Sequence, residues 1–257
     1  FRRVLFRSSK EDLLMKQKTS IYFKRSIDLA SDANDKSVLD NLLYTKPLKK
    51  TVRAVYGALT SKSNEYSISI VGPYGSGKST TALFLRKYLE GNLTAKQRKA
   101  LAAYDLKSLP PSKIYTDIRV LVGRNQSIQT ALCDILGLSG RDDPVEYLKM
   151  QLKDKATRLA ILIDEMGKFL EYAAEYPQEG DVYVLQQLAE LSHRSHGQLF
   201  LLTIRHQSMA AYVQRISTEY LSEWKKIQGR FVDIVHSNTV DDTVEIVYQY
   251  LPQLDLK

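Results

Sequence analysis

Residues 66–80 read Tyr-Ser-Ile-Ser-Ile-Val-Gly-Pro-Tyr-Gly-Ser-Gly-Lys-Ser-Thr, and the reading of this stretch decides the fold. Its first six residues put Ile68 and Ile70 on one face of a short strand. Residues 72–79 match the spacing G-x-x-x-x-G-K-[ST], and a helix is predicted over 78–89. By composition alone such an octet arises in roughly one chain of this length in a hundred, so its context matters: a strand before it and a helix after it. The chemistry gives each position a task. A loop that wraps a row of phosphates has to aim several backbone N–H groups at their oxygens. Gly72, Gly75 and Gly77 supply the backbone angles and the close approach, and Pro73, Tyr74 and Ser76 complete the cradle. The positive end of the following helix favours an anion. Lys78 brings a mobile charge to the β- and γ-phosphates, the Ser79 hydroxyl is placed for Mg2+, and the Thr80 N–H meets the α-phosphate.

The second decisive stretch is residues 160–165, Ala-Ile-Leu-Ile-Asp-Glu. An apolar strand cannot bury two carboxylates, so both belong at its C-terminal tip. In open parallel sheets ligands bind at that edge. Asp164 is the candidate to hold Mg2+, directly or through water. Glu165 is the candidate catalytic base that orients and deprotonates the attacking water. A Glu after the metal Asp is usual in enzymes that hydrolyse ATP this way and rare in GTPases. The guanine-reading N-K-x-D motif is absent from the sequence, so ATP is expected as the nucleotide.

Outward from these two segments, strand and helix signals alternate. Helices are predicted over 35–43, over 48–59 with Pro47 at its start, over part of 91–111, over 127–136 with Gly137 as C-cap, and over 144–153 after Asp143. Further helices are predicted over 166–172, over 182–193 with Asp181 as N-cap, and over 217–227. Strands are predicted over 114–122, 159–163, 198–204 and 231–235. This order predicts an α/β fold, a mainly parallel sheet covered on both faces. Four segments follow: residues 1–8, FRRVLFRS, which read as a non-native scar and are left out of the fold reasoning; an N-terminal helical segment, 9–63; the core, 64–236; and 237–257 as the start of a truncated C-terminal segment.

The 257 residues allow one large domain with a sizeable core. No apolar run nears the roughly 20 residues that span a bilayer, so no membrane partner is expected. The single cysteine, Cys133, excludes an internal disulfide and a multi-cysteine zinc site, and a reducing, cytoplasmic setting is the expectation. The net charge of +8 falls to +5 without Arg2, Arg3 and Arg7, an ordinary solvated surface for an ATPase. The sixteen tyrosines are not interleaved with basic residues as a single-strand stacking surface requires.

The lines GPYGSGKST, ILIDEMGKFLEYAAEYPQEGDVYVLQQLAEL, LFLLTIRHQSM and EWKKIQGRF resemble the P-loop ATPases that carry an additional strand between their two Walker motifs, in the AAA+ and STAND/origin-recognition neighbourhood. The resemblance covers roughly residues 66–235 and extends to ATPase modules of large bacterial proteins, several of them anti-phage defence components. It implies a three-layer P-loop NTPase with a five-stranded sheet in the order 5-1-4-3-2. It also implies a polar sensor at the tip of the strand after 159–163. Thr203, Arg205 and His206 are the candidates, with His206 favoured and Arg205 second because a sensor has to lie level with Asp164. An arginine from a neighbouring subunit commonly completes such sites, and Arg230 and Arg194 are available, although an ordinary surface role suits either. Tyr44, Thr45 and Pro47 lie where similar ATPases rest the adenine. The helical lid with its sensor arginine is not recognisable after Phe231, a departure from typical AAA+ proteins. The expectation is therefore a Mg2+-dependent ATPase acting as motor or switch in a larger protein. DNA or another nucleic acid is an expected partner through the rest of that protein, and a homo-oligomer or multi-protein complex is expected. The rival readings are a non-hydrolysing ATP switch and a kinase; no second cluster of lid arginines supports the latter.

Overall fold

The structure is a computed structural model that describes residues 27–35, 37–39, 42–60, 65–139, 142–177, 182–213, 224–237 and 244; these belong, Val244 apart, to one compact unit, Ile27–Ser237. Five strands, β1 (Ser67–Val71), β2 (Asp117–Val122), β3 (Leu159–Asp164), β4 (Leu199–Arg205) and β5 (Val232–Val235), form one sheet in the order β2-β3-β4-β1-β5. Every pairing is parallel. This is the expected order read from its other edge. Among the described residues the helices include α1 (Lys46–Thr60), α2 (Lys78–Leu89), α3 (Ala95–Ala103), α4 (Ile128–Leu136), α5 (Pro144–Gln151), α6 (Met166–Glu175), α7 (Tyr183–Arg194) and α8 (Met209–Val213).

Alternation along the inner strands divides the core in two. Ile68, Ile70, Ala160, Leu162, Phe200, Leu202 and Ile204 pack with α1, α2 and α3. Leu159, Ile161, Ile163, Leu199 and Leu201 face the opposite way, onto side chains of α4, α5, α6 and α7. A strand covered on both faces is expected to read as an apolar run, and β3 does so as far as Ile163 and β4 as far as Leu202.

Local chemistry sets several boundaries. Thr94 and Gln97 form a reciprocal capping box at α3. Ser127 accepts from Thr130 N at the start of α4, and Gly137 ends it in the left-handed conformation at φ 70°. The Asp143 carboxylate accepts from Val145 N and Glu146 N to begin α5.

Other boundaries moved. The described part of 35–43 holds only a 3-10 turn, Ser37–Leu39, in place of the expected helix. β2 begins at Asp117 rather than 114, because Pro111–Lys113 closes a 3-10 turn first. α8 was not anticipated from the sequence. Asp181, residues 1–26, residues 217–223 of the expected 217–227 helix, and the segment after 237, apart from Val244, lie outside the described residues, while 224–227 are helical.

Candidate functional site

The register sets what meets the glycine loop. Val71 pairs with Arg205 on one side and Val235 on the other. The next residues, Gly72, His206 and His236, therefore leave the sheet at one level. On β3, Ile163 pairs with Thr203, which brings Asp164 and Glu165 to the same C-terminal edge.

The loop itself is held from both sides. Gly72 N donates to Arg205 O (3.2 Å), and His236 N donates to Val71 O (2.7 Å). A Cβ on Gly72 would run into the His236 carbonyl, so glycine is required there by close packing. Gly75 and Gly77 take φ of 75° and 81°, in the left-handed region that favours glycine. Gly77 caps α2 with no side chain, which leaves the first amides of the helix without a side-chain acceptor. Ser79 and Thr80 are half-buried in that first turn.

Lys78 is 5% exposed. Its Nζ donates to the Pro73 carbonyl at 2.6 Å. Burial lowers its pKa, and the Asp164 carboxylate opposes that shift. Conversely, burial raises the Asp164 carboxyl, while the Glu165 N–H (2.8 Å to Oδ1) and Lys78 pull it back. The two charges, one at the start of α2 and one at the tip of β3, thus share one field.

Glu165 has φ 48° and ψ 39°, a left-handed geometry costing an L-residue roughly 1–2 kcal/mol. Its carbonyl fills the space where a Cβ of Gly123 would lie, and Gly123 N donates to Asp164 O (2.8 Å). The Glu165 side chain pairs with Lys168 Nζ at 2.5 Å, and that hydrogen bond raises the lysine's pKa.

The two polar residues at the β4 tip differ sharply. Arg205 is 1% exposed and bonds Asp233 Oδ1 through Nη2 at 2.5 Å, bridging β4 to β5 across β1. Its Nε and Nη1 have no hydrogen-bond partner among the described residues. His206 stacks on Tyr74, ring centroids 3.6 Å apart and planes at 25°. Burial lowers the His206 pKa, as does Lys78, while Glu165 acts against them. Thr203 is turned into the sheet, bonded to Ser69.

Two buried atoms near the loop, Ser76 Oγ and His206 Nδ1, lack partners among the described residues. With Lys78 and the uncapped α2 amides, they form a donor set suited to phosphate oxygens. Asp164 and the Ser79 hydroxyl supply hard oxygen ligands suited to Mg2+.

The remaining candidates lie elsewhere. The Tyr44 ring meets Phe84 edge-on at 5.8 Å, and its hydroxyl is pushed up to about 12, chiefly by burial. Pro47 is buried, its carbonyl accepting from Thr51 Oγ1 (2.8 Å), and Thr45 Oγ1 accepts from Leu48 N. Arg230 and Arg194 both face Glu190, at 2.5 and 3.8 Å. They precede β5 and β4, so they sit at the sheet edge opposite the glycine loop, beside a cavity of about 600 Å³.

Sequence reasoning missed Gly123, Lys168 and His236. His236 is buried, its Nε2 2.9 Å from Thr51 Oγ1. Nothing in its local sequence marks it; only the β1–β5 register brings it under the loop. Lys168, three residues after Glu165 on a predicted helix, was open to detection as an i,i+3 pair.

No protein-family profile matches the sequence, and no curated protein sequence matches it. Among solved structures the chain is similar to the Aeropyrum pernix ORC2 protein in its ADPNP–ADP complexes (13% identity, 86% of this chain and 56% of that one, TM-score 0.48). It is also similar to the ADP form of that protein (12% identity, 92% and 56%, TM-score 0.48) and to the S. cerevisiae Hsp104–ADP complex (16% identity, 88% and 26%, TM-score 0.45). The chain spans just over half the length of the ORC2 chain. Likeness at these identities concerns fold alone, and the chemistry of the site rests on its own geometry. Among the described residues no helix is long and apolar enough to cross a membrane.

Proposed function

We propose that this chain binds Mg-ATP in the 72–80 loop and hydrolyses it to ADP and phosphate. The observation that carries this reading is the strand register, which brings the half-buried Asp164 and Glu165 at the tip of β3 to the same sheet edge from which the glycine loop and its buried Lys78 leave. The backbone N–H groups of 72–80, Pro73 excepted, and the Lys78 ammonium hold the phosphates. Ser79 and Asp164 would hold Mg2+, which when bound would offset negative charge on the phosphates. Glu165 orients the attacking water and accepts its proton. His206, with its unpartnered Nδ1, serves as sensor of the γ-phosphate end; Arg205, committed to Asp233, is the weaker candidate.

Lys78→Ala should abolish nucleotide binding or turnover. Glu165→Gln should keep binding while stopping steady-state phosphate release; persistent release in that variant would remove the base assignment. The sequence resemblance supports a motor or switch module of a larger protein, linked to DNA or to defence. The same resemblance supports an oligomer, although Arg194 and Arg230 both pair with Glu190 of their own chain. One observation favours the rival reading, a nucleotide switch with negligible hydrolysis: Glu165 is tied to Lys168. Phosphate release measured with and without DNA or RNA separates the two.

A further inference from the structure

Tyr74 is 79% exposed, the most open large hydrophobic side chain among the described residues. A flexible loop gains nothing from displaying an aromatic ring to water. Gly75 beside it adds no side chain to pack against. The ring nevertheless has a fixed position, because one face lies on the His206 imidazole at a centroid distance of 3.6 Å. The Lys78 Nζ also lies 5.9 Å from the ring centroid, within the range of a cation–π contact. One side chain of the loop therefore touches both the lysine meant for phosphate and the polar tip of β4.

We infer that Tyr74 is a positioning residue: its ring clasps His206 to the glycine loop and aims the unpartnered Nδ1 at the γ-phosphate end of the cradle. The inference rests on the nucleotide reading given above. Order that the phosphates impose on the loop then passes directly to the β4 tip. The main-chain path between the two is different, since Gly72 N bonds the Arg205 carbonyl and leaves the His206 ring free to turn. Among the described residues, the stack on Tyr74 is the ring contact that holds it. The ring, and not the hydroxyl, does this work. The low His206 pKa agrees with a neutral imidazole that can hydrogen-bond.

The test compares affinities for ADP and for a non-hydrolysable ATP analogue by calorimetry, together with the His206 ring resonances of the nucleotide-free protein. Tyr74→Ala should reduce the preference for the triphosphate by about two- to tenfold, the range of a lost aromatic stack. It should also move the His206 ring signals, because the shielding tyrosine is gone, while the rest of the spectrum reports an intact fold. Tyr74→Phe should restore both. In a His206→Ala background, Tyr74→Ala should change the preference by less than about twofold, since coupled residues are not additive. Equal losses for ADP and analogue, unmoved His206 signals, or a Tyr74→Phe variant that behaves like Tyr74→Ala would each overturn the clasp. If the wild-type chain binds neither nucleotide, the nucleotide reading itself fails; if it binds both and the preference survives Tyr74→Ala, only the role of Tyr74 is lost.

Discussion

Replacing Asp233 by alanine should cost this fold about 3 kcal/mol, the low end of the range for a buried pair broken on one side. The structure sets that figure. Arg205 is 1% exposed and always charged, and its Nε and Nη1 already lack partners. Asp233 supplies its ion pair, through Nη2 at 2.5 Å. Removing it leaves a buried guanidinium that has lost the carboxylate paired with it among the described residues. Asp233 itself is 30% exposed, so water can partly enter, which argues against the upper end near 5 kcal/mol. A loss of about 3 kcal/mol is a large share of a stability of 5–15 kcal/mol. The double variant Arg205→Met/Asp233→Ala should recover most of it, since a buried ion pair replaced by apolar groups is often neutral. Urea unfolding of the wild type, the single variant and the double variant measures all three. A single variant within about 1 kcal/mol of wild type, or a double variant no better than the single, refutes the account of Arg205 as a buried brace. Retained phosphate release in the double variant would further separate this brace from the sensor role assigned to His206.

Other outcomes follow from the same geometry. Gly123→Ala drives a Cβ into the Glu165 carbonyl and should lower phosphate release at least about tenfold while nucleotide binding, measured by calorimetry, is kept; displacement of a catalytic group by about 1 Å can cost more than that. Lys168→Ala frees Glu165 from an exposed pair that holds about 0.2–1 kcal/mol, so the rate of phosphate release should rise, by no more than about fivefold. The buried His236 has its pKa lowered to about 4 from an ordinary 6.5, mainly by burial and next by Lys78. Between those values the unfolded chain binds more protons than the native one, so stability should fall as pH drops from 6.5 towards 4 and be unaffected by this group above 6.5. The total loss is on the order of 3 kcal/mol, and urea midpoints of wild type and His236→Gln across that window read it out.

The loop 72–80, the acid pair 164–165 and the α/β alternation were legible in the sequence because each is a local event. Glycine spacing, an apolar run ending in two carboxylates, and a change of hydrophobic period need no knowledge of distant residues. The Gly137 C-cap and the helix start at Asp143 were legible for the same reason. The helix expected over 35–43 was not realised, since its spacing was helical over too few turns to outweigh tertiary packing. Strand register was beyond the sequence altogether. Pairing Val71 with both Arg205 and Val235 puts His236 against Gly72 and buries Arg205 against Asp233. It also brings His206 level with the loop, where its ring meets Tyr74. A shift of one residue would turn each of these side chains to the opposite face, and nothing in any one strand records which partner residue it will face. The chain's own order of amino acids therefore determined that a phosphate loop and an acidic strand tip exist; the sheet decided which side chains surround them.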